Sequence, residues 1–124
     1  MSESALVQNI IVAASEKGHR AFVNPVGFYK RTQGGRSYGI HYGVGGTNSP
    51  DLWCWCVDAM AAIMEVKVPG QKPRAGQLAW MKAAKKATPA LRVGWVDSVA
   101  GALRLLAGAE ADPETMYVRG EEGN

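Results

Sequence analysis

Apolar residues recur at helical spacing in three stretches of the chain. The first stretch predicts a helix over residues 3 to 17, and the second predicts a helix over residues 74 to 87. A third helix is predicted to begin at a cap on Asp97 or Ser98 and to end at Gly108, because glycine suits the left-handed residue that follows many helices. Its predicted core-facing residues are Val99, Leu103 and Leu106.

Two apolar runs in the middle of the chain have the length and composition of strands. They cover residues 52 to 57 and 60 to 68, and only Asp58 and Ala59 separate them, which predicts a hairpin covered on both faces. Shorter strands are predicted at residues 21 to 24, 38 to 42 and 91 to 96. The order of these elements predicts an α/β fold, in which helices flank a mixed central β-sheet.

Length and composition favour a single folded unit. The chain has 124 residues, of which 47% are hydrophobic and 20% are charged, values typical of globular proteins. We expect one domain over residues 1 to 108 and a partly ordered tail over residues 109 to 124, which are acidic and poor in large apolar side chains. The longest apolar stretch is shorter than the ~20 residues of a membrane crossing, and the N-terminus lacks a secretory pattern. We therefore expect no membrane association and a cytoplasmic location.

Net charge and the cysteines add weaker signals. The formal charge of +3 permits a nucleic-acid partner and proves none. Cys54 and Cys56 lie two residues apart in a predicted strand, so their side chains share a face without a geometry suited to a disulfide. A zinc site would need them to meet His19 and His41 from other segments, and half-buried strand cysteines are the preferred interpretation.

One group of charged residues interrupts the apolar pattern. Asp51 follows Pro50 just before the first central strand, and Glu65 and Lys67 lie in the second, where period-two alternation puts them on one side. Burying a glutamate and a lysine there is costly unless they pair or hold a cation. Two interpretations stay open: a buried ion pair, or a site for a hard divalent cation with the Val66 carbonyl as a further ligand.

The second interpretation predicts a reaction. A divalent cation held there would polarise a scissile phosphate and acidify water, while Lys67 would position that water or neutralise charge in the transition state. The chemistry would be phosphodiester hydrolysis.

The same residues carry a resemblance to a known family. Residues 45 to 52 read Gly-Gly-Thr-Asn-Ser-Pro-Asp-Leu, residues 64 to 70 read Met-Glu-Val-Lys-Val-Pro-Gly, and Gln77 follows in the next predicted helix. Together they resemble the PD-(D/E)XK nuclease superfamily, and within it the small stand-alone VRR-NUC domains, virus-type replication and repair nucleases often encoded by bacteriophages. The resemblance covers about residues 3 to 106.

The resemblance implies roles for particular residues. Asp51 and Glu65 correspond to the metal-binding acids, Lys67 to the active-site lysine, and Gln77 to a glutamine beside the metal site. Glu3 corresponds to an acid that reaches the metal directly or through water. The implied protein is a Mg²⁺- or Mn²⁺-dependent DNA endonuclease with a restriction-endonuclease-like core, selective for branched or junction DNA in replication, recombination or repair, in the host cytoplasm if phage-encoded.

The sequence departs from the family pattern in two places. Residues 24 to 27, Asn-Pro-Val-Gly, resemble the Arg-Asn-x-x-Gly stretch that the family has ahead of the glycine loop, but Val23 stands in the place of the arginine. The contact of that arginine is therefore missing or comes from another residue such as Arg20. Thr47 and Asn48 also make the loop before Pro50 longer than the commonest form.

Basic residues and chain size suggest how DNA would be bound. Three basic residues flank the glycine-rich segment that leads to Asp51 and are candidate DNA contacts: Lys30, Arg31 and Arg36. Lys82 is a fourth candidate, with a role on a solvated helix face as its alternative. So small a chain offers little DNA-contact surface, and the resemblance implies a homodimer. The alternatives are a catalytically silent DNA-binding module of the same fold and a structural protein with a buried ion pair.

Overall fold

The computed structural model describes residues 1–25, 27–42 and 46–121, and within residues 27–42 it describes side chains at positions 32, 34–37 and 39. These ranges contain three helices and six strands. In chain order they are α1 (Glu3–Glu16), β1 (Arg20–Val23), β2 (Gly27–Gln33), β3 (Arg36–Tyr42), β4 (Leu52–Trp55), β5 (Ala61–Val66), α2 (Ala75–Ala87), β6 (Arg92–Val96) and α3 (Val99–Leu106).

Four of the strands form one mixed sheet in the order β1-β4-β5-β6. The β1–β4 and β4–β5 pairs are antiparallel, whereas β5 and β6 run parallel and are joined through α2. The strands β2 and β3 form a separate antiparallel hairpin, whose turn at Gly34 and Gly35 uses the positive φ angles that glycine permits. The predicted α/β fold with a mixed sheet and flanking helices is confirmed at this level.

Helices cover both faces of the sheet. The helices α1 and α3 pack against one face, where the buried strand residues are Leu52, Cys54, Ala62, Met64, Val66 and Val96. The helix α2 packs against the other face, where the cluster contains Ile63, Met81, Val93, Trp95 and Met116, with Trp53, Leu78 and Trp80 partly buried around it. Period-two alternation along the strands therefore assigns each residue to one of two distinct core layers.

The helix ends follow local sequence signals. The Ser2 hydroxyl accepts a hydrogen bond from the Ala5 N–H at the start of α1, and Gly18, with φ +89°, lies just beyond its end. Of the two candidate caps for α3, Ser98 is the one used, since its hydroxyl accepts from the Gly101 N–H. Gly108 ends this helix at φ +104° as predicted.

The inward face of α3 includes the three predicted residues. Leu106 is buried, and Val99 and Leu103 are partly buried and pack against the same core. Gly101, Ala102 and Leu105 are buried as well. A Cβ at position 101 would lie 2.7 Å from the Val118 carbonyl oxygen, so the chain after α3 packs closely against this side.

The chain after α3 packs onto β6. The Trp95 N–H donates to the Met116 carbonyl, and the Val118 N–H donates to the Trp95 carbonyl. Met116 and Val118 are 3% and 2% exposed. The sequence predicted a partly ordered tail over residues 109 to 124, whereas Met116 and Val118 of this segment are part of the core beside β6.

None of the helices in the described ranges combines the length and the hydropathy that a membrane crossing requires.

Candidate metal centre

Asp51 and Glu65 meet at one end of the β4–β5 pair. Leu52 pairs with Met64 in the antiparallel register, and both point into the layer under α1 and α3. Asp51 precedes Leu52 and Glu65 follows Met64, so both point to the opposite face, where they are direct neighbours. The hairpin register, rather than any local motif, brings the two acids together.

Glu3 joins them from the first turn of α1. One carboxylate oxygen from each of Glu3, Asp51 and Glu65 lies within 4.8 Å of the others. Glu65 is 2% exposed, Asp51 is partly buried and Glu3 is exposed, so the cluster opens to solvent on the Glu3 side. This arrangement matches the three acids that the sequence nominated for a metal site.

The Asp51 side chain is oriented by the backbone of β5. Its Oδ2 atom accepts a hydrogen bond of 2.9 Å from the Val66 N–H. The predicted use of the Val66 carbonyl as a metal ligand stays a prediction, and the contact present involves the amide of the same residue. This hydrogen bond fixes the orientation of Asp51 beside Glu65.

Asn24 holds the loop that delivers Asp51. Its Nδ2 atom donates to the Pro50 carbonyl at 3.0 Å and to the Ser49 hydroxyl at 2.9 Å, while its N–H donates to the Asp51 carbonyl at 2.7 Å. The Ser49 hydroxyl donates in turn to the Gly46 carbonyl at 2.7 Å. Sequence reasoning did not find Asn24 as a positioning residue, because its partners lie 25 and 26 residues away.

Lys67 and Gln77 both contact one oxygen of Glu65. The Gln77 Nε2 atom donates to Glu65 Oε1 at 3.1 Å, and Lys67 Nζ lies 3.6 Å from the same atom. Gln77 is itself fixed, since its Oε1 accepts from the Arg74 N–H at 2.9 Å where α2 begins. The other oxygen, Glu65 Oε2, is buried and has no hydrogen-bond partner among the described residues.

Electrostatics at Glu65 disfavour its charged form. Burial raises the pKa of Glu65 most, and the negative charge of Asp51 and a hydrogen bond with it add to this, so that the pKa moves from its ordinary value of 4.5 to about 8. Lys67 lowers the pKa, and Glu3 raises it. At neutral pH the site without a cation therefore holds a proton on Glu65.

The cluster holds more negative charge than its one lysine offsets. Lys67 is a single positive charge beside three carboxylates. Asp51 and Glu65 lie close enough that either a shared proton or a bound cation is needed to offset their repulsion. Carboxylate oxygens are the ligands that Mg²⁺ and Mn²⁺ prefer. Asp51, Glu65 and Glu3 are the residues that would hold such an ion.

The four predicted DNA contacts are only partly described. The side chains of Lys30 and Arg31 lie outside the described residues, and Arg36 is exposed at the start of β3. Lys82 is exposed on α2, five residues after Gln77 and so about 7.5 Å further along the helix axis. It lines a groove with Pro113 and Met116. A DNA-binding role for any of them stays a prediction.

The zinc alternative receives no support from the described residues. Cys54 and Cys56 are both buried free thiols, and burial raises the pKa of Cys54 to about 12, which keeps it protonated. His19 Nδ1 accepts a hydrogen bond from the Val57 N–H, so this nitrogen is already used. The side chain of His41 is outside the described part. The cysteines are core residues, more buried than the sequence predicted.

Comparison of the chain with protein family models, with curated proteins and with solved structures found no match.

Proposed function

We propose that this chain is a metal-dependent DNA endonuclease with a PD-(D/E)XK-type core, similar to the VRR-NUC domains, that hydrolyses phosphodiester bonds. The observation that supports it most is the convergence of Glu3, Asp51 and Glu65 on one point, with Lys67 and Gln77 in contact with the most buried acid. Five residues from four separate parts of the chain meet there, and two of them are a buried glutamate and a nearly buried lysine. The expected homodimer is part of the same proposal.

Asp51 and Glu65 hold the cation in this proposal, with Glu3 as the solvent-side acid. Held by these acids, Mg²⁺ or Mn²⁺ would supply Lewis-acid chemistry to the scissile phosphate and the attacking water. The preset orientation of Asp51 by the Val66 N–H means that little rearrangement is needed for binding. Because Glu65 is protonated at neutral pH without a cation, binding releases a proton.

Lys67 and Gln77 have separate tasks. Gln77 bridges the start of α2 and Glu65, which fixes the carboxylate plane. The ammonium group of Lys67, with its side chain 17% exposed, lies at the boundary between the buried acid and solvent. From there it orients the attacking water and offsets the negative charge that develops on the phosphate.

A cleavage panel tests the proposal. Branched and linear DNAs are incubated with Mg²⁺, Mn²⁺ or chelator and with the wild type, Asp51→Asn or Lys67→Ala. The Asn side chain still offers an oxygen to the Val66 N–H, so the fold is kept. We expect metal-dependent cleavage by the wild type and rates lower by about 100-fold or more in both variants. Lys17→Ala, an exposed lysine at the far end of α1, is the control and keeps full activity.

The outcomes separate the competing functions. Full activity of Lys67→Ala with Mg²⁺ refutes the assigned chemistry. DNA binding without nicking of any substrate favours the catalytically silent DNA-binding module. If the wild type neither binds DNA nor gains thermal stability from Mn²⁺, the acids and Lys67 form a structural ion-pair cluster.

A further inference from the structure

Two aromatic side chains are exposed to solvent on the sheet. Phe22 in β1 is 47% exposed and Trp55 in β4 is 57% exposed. Their ring centroids are 6.1 Å apart with an interplanar angle of 67°, an edge-to-face contact. Rings of this size gain stability from burial, so a pair held together in water points to a surface that contacts a ligand.

The pair lies on the same sheet face as the carboxylates. In the β1–β4 register Ala21 pairs with Cys54, and Cys54 is buried in the layer under α1 and α3. Phe22 and Trp55 therefore point to the opposite face, to which Asp51 also points. Trp55 is four residues from Asp51, a distance of about 13 Å along an extended strand. A short segment of a polymeric ligand can contact both places.

The extent of α2 explains why this pair is exposed. Trp53, between Asp51 and Trp55 on the same face, is covered because its ring contacts Trp80 of α2 at 6.4 Å between centroids. Trp55 lies one step further along β4 and Phe22 lies in the edge strand, and both stay exposed. Arg20, also exposed, is directly opposite Trp55 in the register.

We propose that Phe22, Trp55 and Arg20 form a stacking site for an unpaired base of single-stranded DNA, and this inference rests on the proposed nuclease function for its class of ligand. Aromatic rings stack on any base, and an arginine beside them pairs with the phosphate of the same nucleotide. The positive charge at the patch argues against a second copy of this chain. A two-fold contact of the patch with itself would bring two Arg20 side chains together.

Binding of a labelled oligothymidylate in the presence of chelator tests the site without cleavage. We expect Trp55→Ala to weaken binding by about 5- to 150-fold, the usual effect of losing one stacked base. Trp55→Phe keeps a ring and retains most of the affinity, whereas Trp55→Leu keeps apolar area without a ring and binds as weakly as Trp55→Ala. Val12→Ala, which removes a 57% exposed apolar side chain from α1, leaves the affinity unchanged.

Three results would overturn the inference. The first is oligothymidylate affinity equal to wild type in Trp55→Ala. The second is full affinity in Trp55→Leu, which indicates a contact that needs no ring. The third is a wild type that sedimentation shows to be a dimer and a Trp55→Ala variant that is a monomer with unchanged oligothymidylate binding. This result would assign the patch to a contact with a second copy of the chain. Circular dichroism of each variant checks the fold. If Trp55→Ala and Trp55→Leu unfold, Arg20→Ala, which keeps both rings, should weaken binding, and unchanged affinity in that variant would overturn the inference.

The test also separates the two proposals. If the wild type cleaves DNA with Mn²⁺ but all variants bind oligothymidylate equally well, only the proposed stacking site is refuted. If oligothymidylate binding depends on Trp55 but no DNA is cleaved, only the proposed nuclease function is refuted.

Discussion

Replacing Glu65 by glutamine is expected to stabilise the metal-free protein at neutral and alkaline pH. Glutamine has the shape of a protonated glutamate, and its Oε1 can still accept the hydrogen bond from Gln77 that Glu65 Oε1 accepts now. The substitution also removes the negative charge of Glu65, whose side chain is buried and only 2% exposed. The effect should therefore depend on pH, because the wild-type carboxyl is neutral below its pKa.

The magnitude follows from the raised pKa. Glu65 titrates at about 8 in the folded chain and near its ordinary value of 4.5 in the unfolded chain. Between these values the folded state binds more protons than the unfolded state, so the free energy of unfolding falls as pH rises. Integrated from pH 4.5 to pH 8, this loss is about 4 kcal/mol. The contribution of protonated Glu65 to the free energy of unfolding is fully present below pH 4.5 and is lost as the pH rises through 8.

Urea unfolding followed by tryptophan fluorescence, in chelator at several pH values, measures the effect. The difference in unfolding free energy between the wild type and Glu65→Gln should change by about 4 kcal/mol over this range, in favour of the variant at high pH. Glu16→Gln, which changes an exposed glutamate at the end of α1, should show no such change. Parallel pH profiles for the wild type and Glu65→Gln would refute the electrostatic description of the site.

Three other substitutions test the supporting contacts. Asn24→Ala should lower the free energy of unfolding by about 1–3 kcal/mol, since it leaves the Pro50 carbonyl unpaired, and should weaken Mn²⁺ binding in a titration. Unchanged Mn²⁺ affinity would mean that the loop is positioned without the Asn24 side chain. Gln77→Ala should lower the cleavage rate more than it weakens DNA binding, because it frees the Glu65 carboxylate; equal losses in both assays would contradict a positioning role. Gly94→Ala should cost about 1–3 kcal/mol in urea unfolding, since a Cβ there would lie 2.8 Å from the Met116 carbonyl oxygen, and wild-type stability would show that residues 109–118 do not pack tightly.

Local patterns were sufficient to predict most helices and strands. The apolar periodicity that indicated a helix over residues 74 to 87 matches α2 within one residue, and the two apolar runs around Asp58 became β4 and β5. The same alternation placed Glu65 and Lys67 on one side of a strand, and the structure brings Asp51 to that side. The residues that pair in this hairpin are close in the sequence, which is why their register could be predicted.

Contacts over long sequence separation were not predictable in the same way. The family resemblance includes Asn24 in a motif but does not indicate that its side chain holds the loop before Asp51, and Glu3 was nominated only through the same resemblance. Residues 109–118 are acidic and lack a periodic pattern, yet Met116 and Val118 are buried because their backbones bridge to β6.

The tryptophans of β4 show a related limit of sequence reasoning. Alternation along β4 puts Trp53 and Trp55 on one face, opposite Cys54. It carries no information on how far α2 extends over that face, so one tryptophan is covered and the other is exposed. Burial of a strand residue depends on the neighbouring element as much as on the strand.

Mn²⁺ binding, counted by loss of the free-ion signal in electron paramagnetic resonance, tests the metal centre without knowledge of the DNA substrate. The wild type should bind Mn²⁺ saturably, and Asp51→Asn should bind at least about tenfold more weakly, since loss of even an outer contact costs that much. Glu16→Gln should match the wild type. Equal binding by the wild type and Asp51→Asn, or no binding by either, would contradict the assignment of Glu3, Asp51 and Glu65 as a cation site.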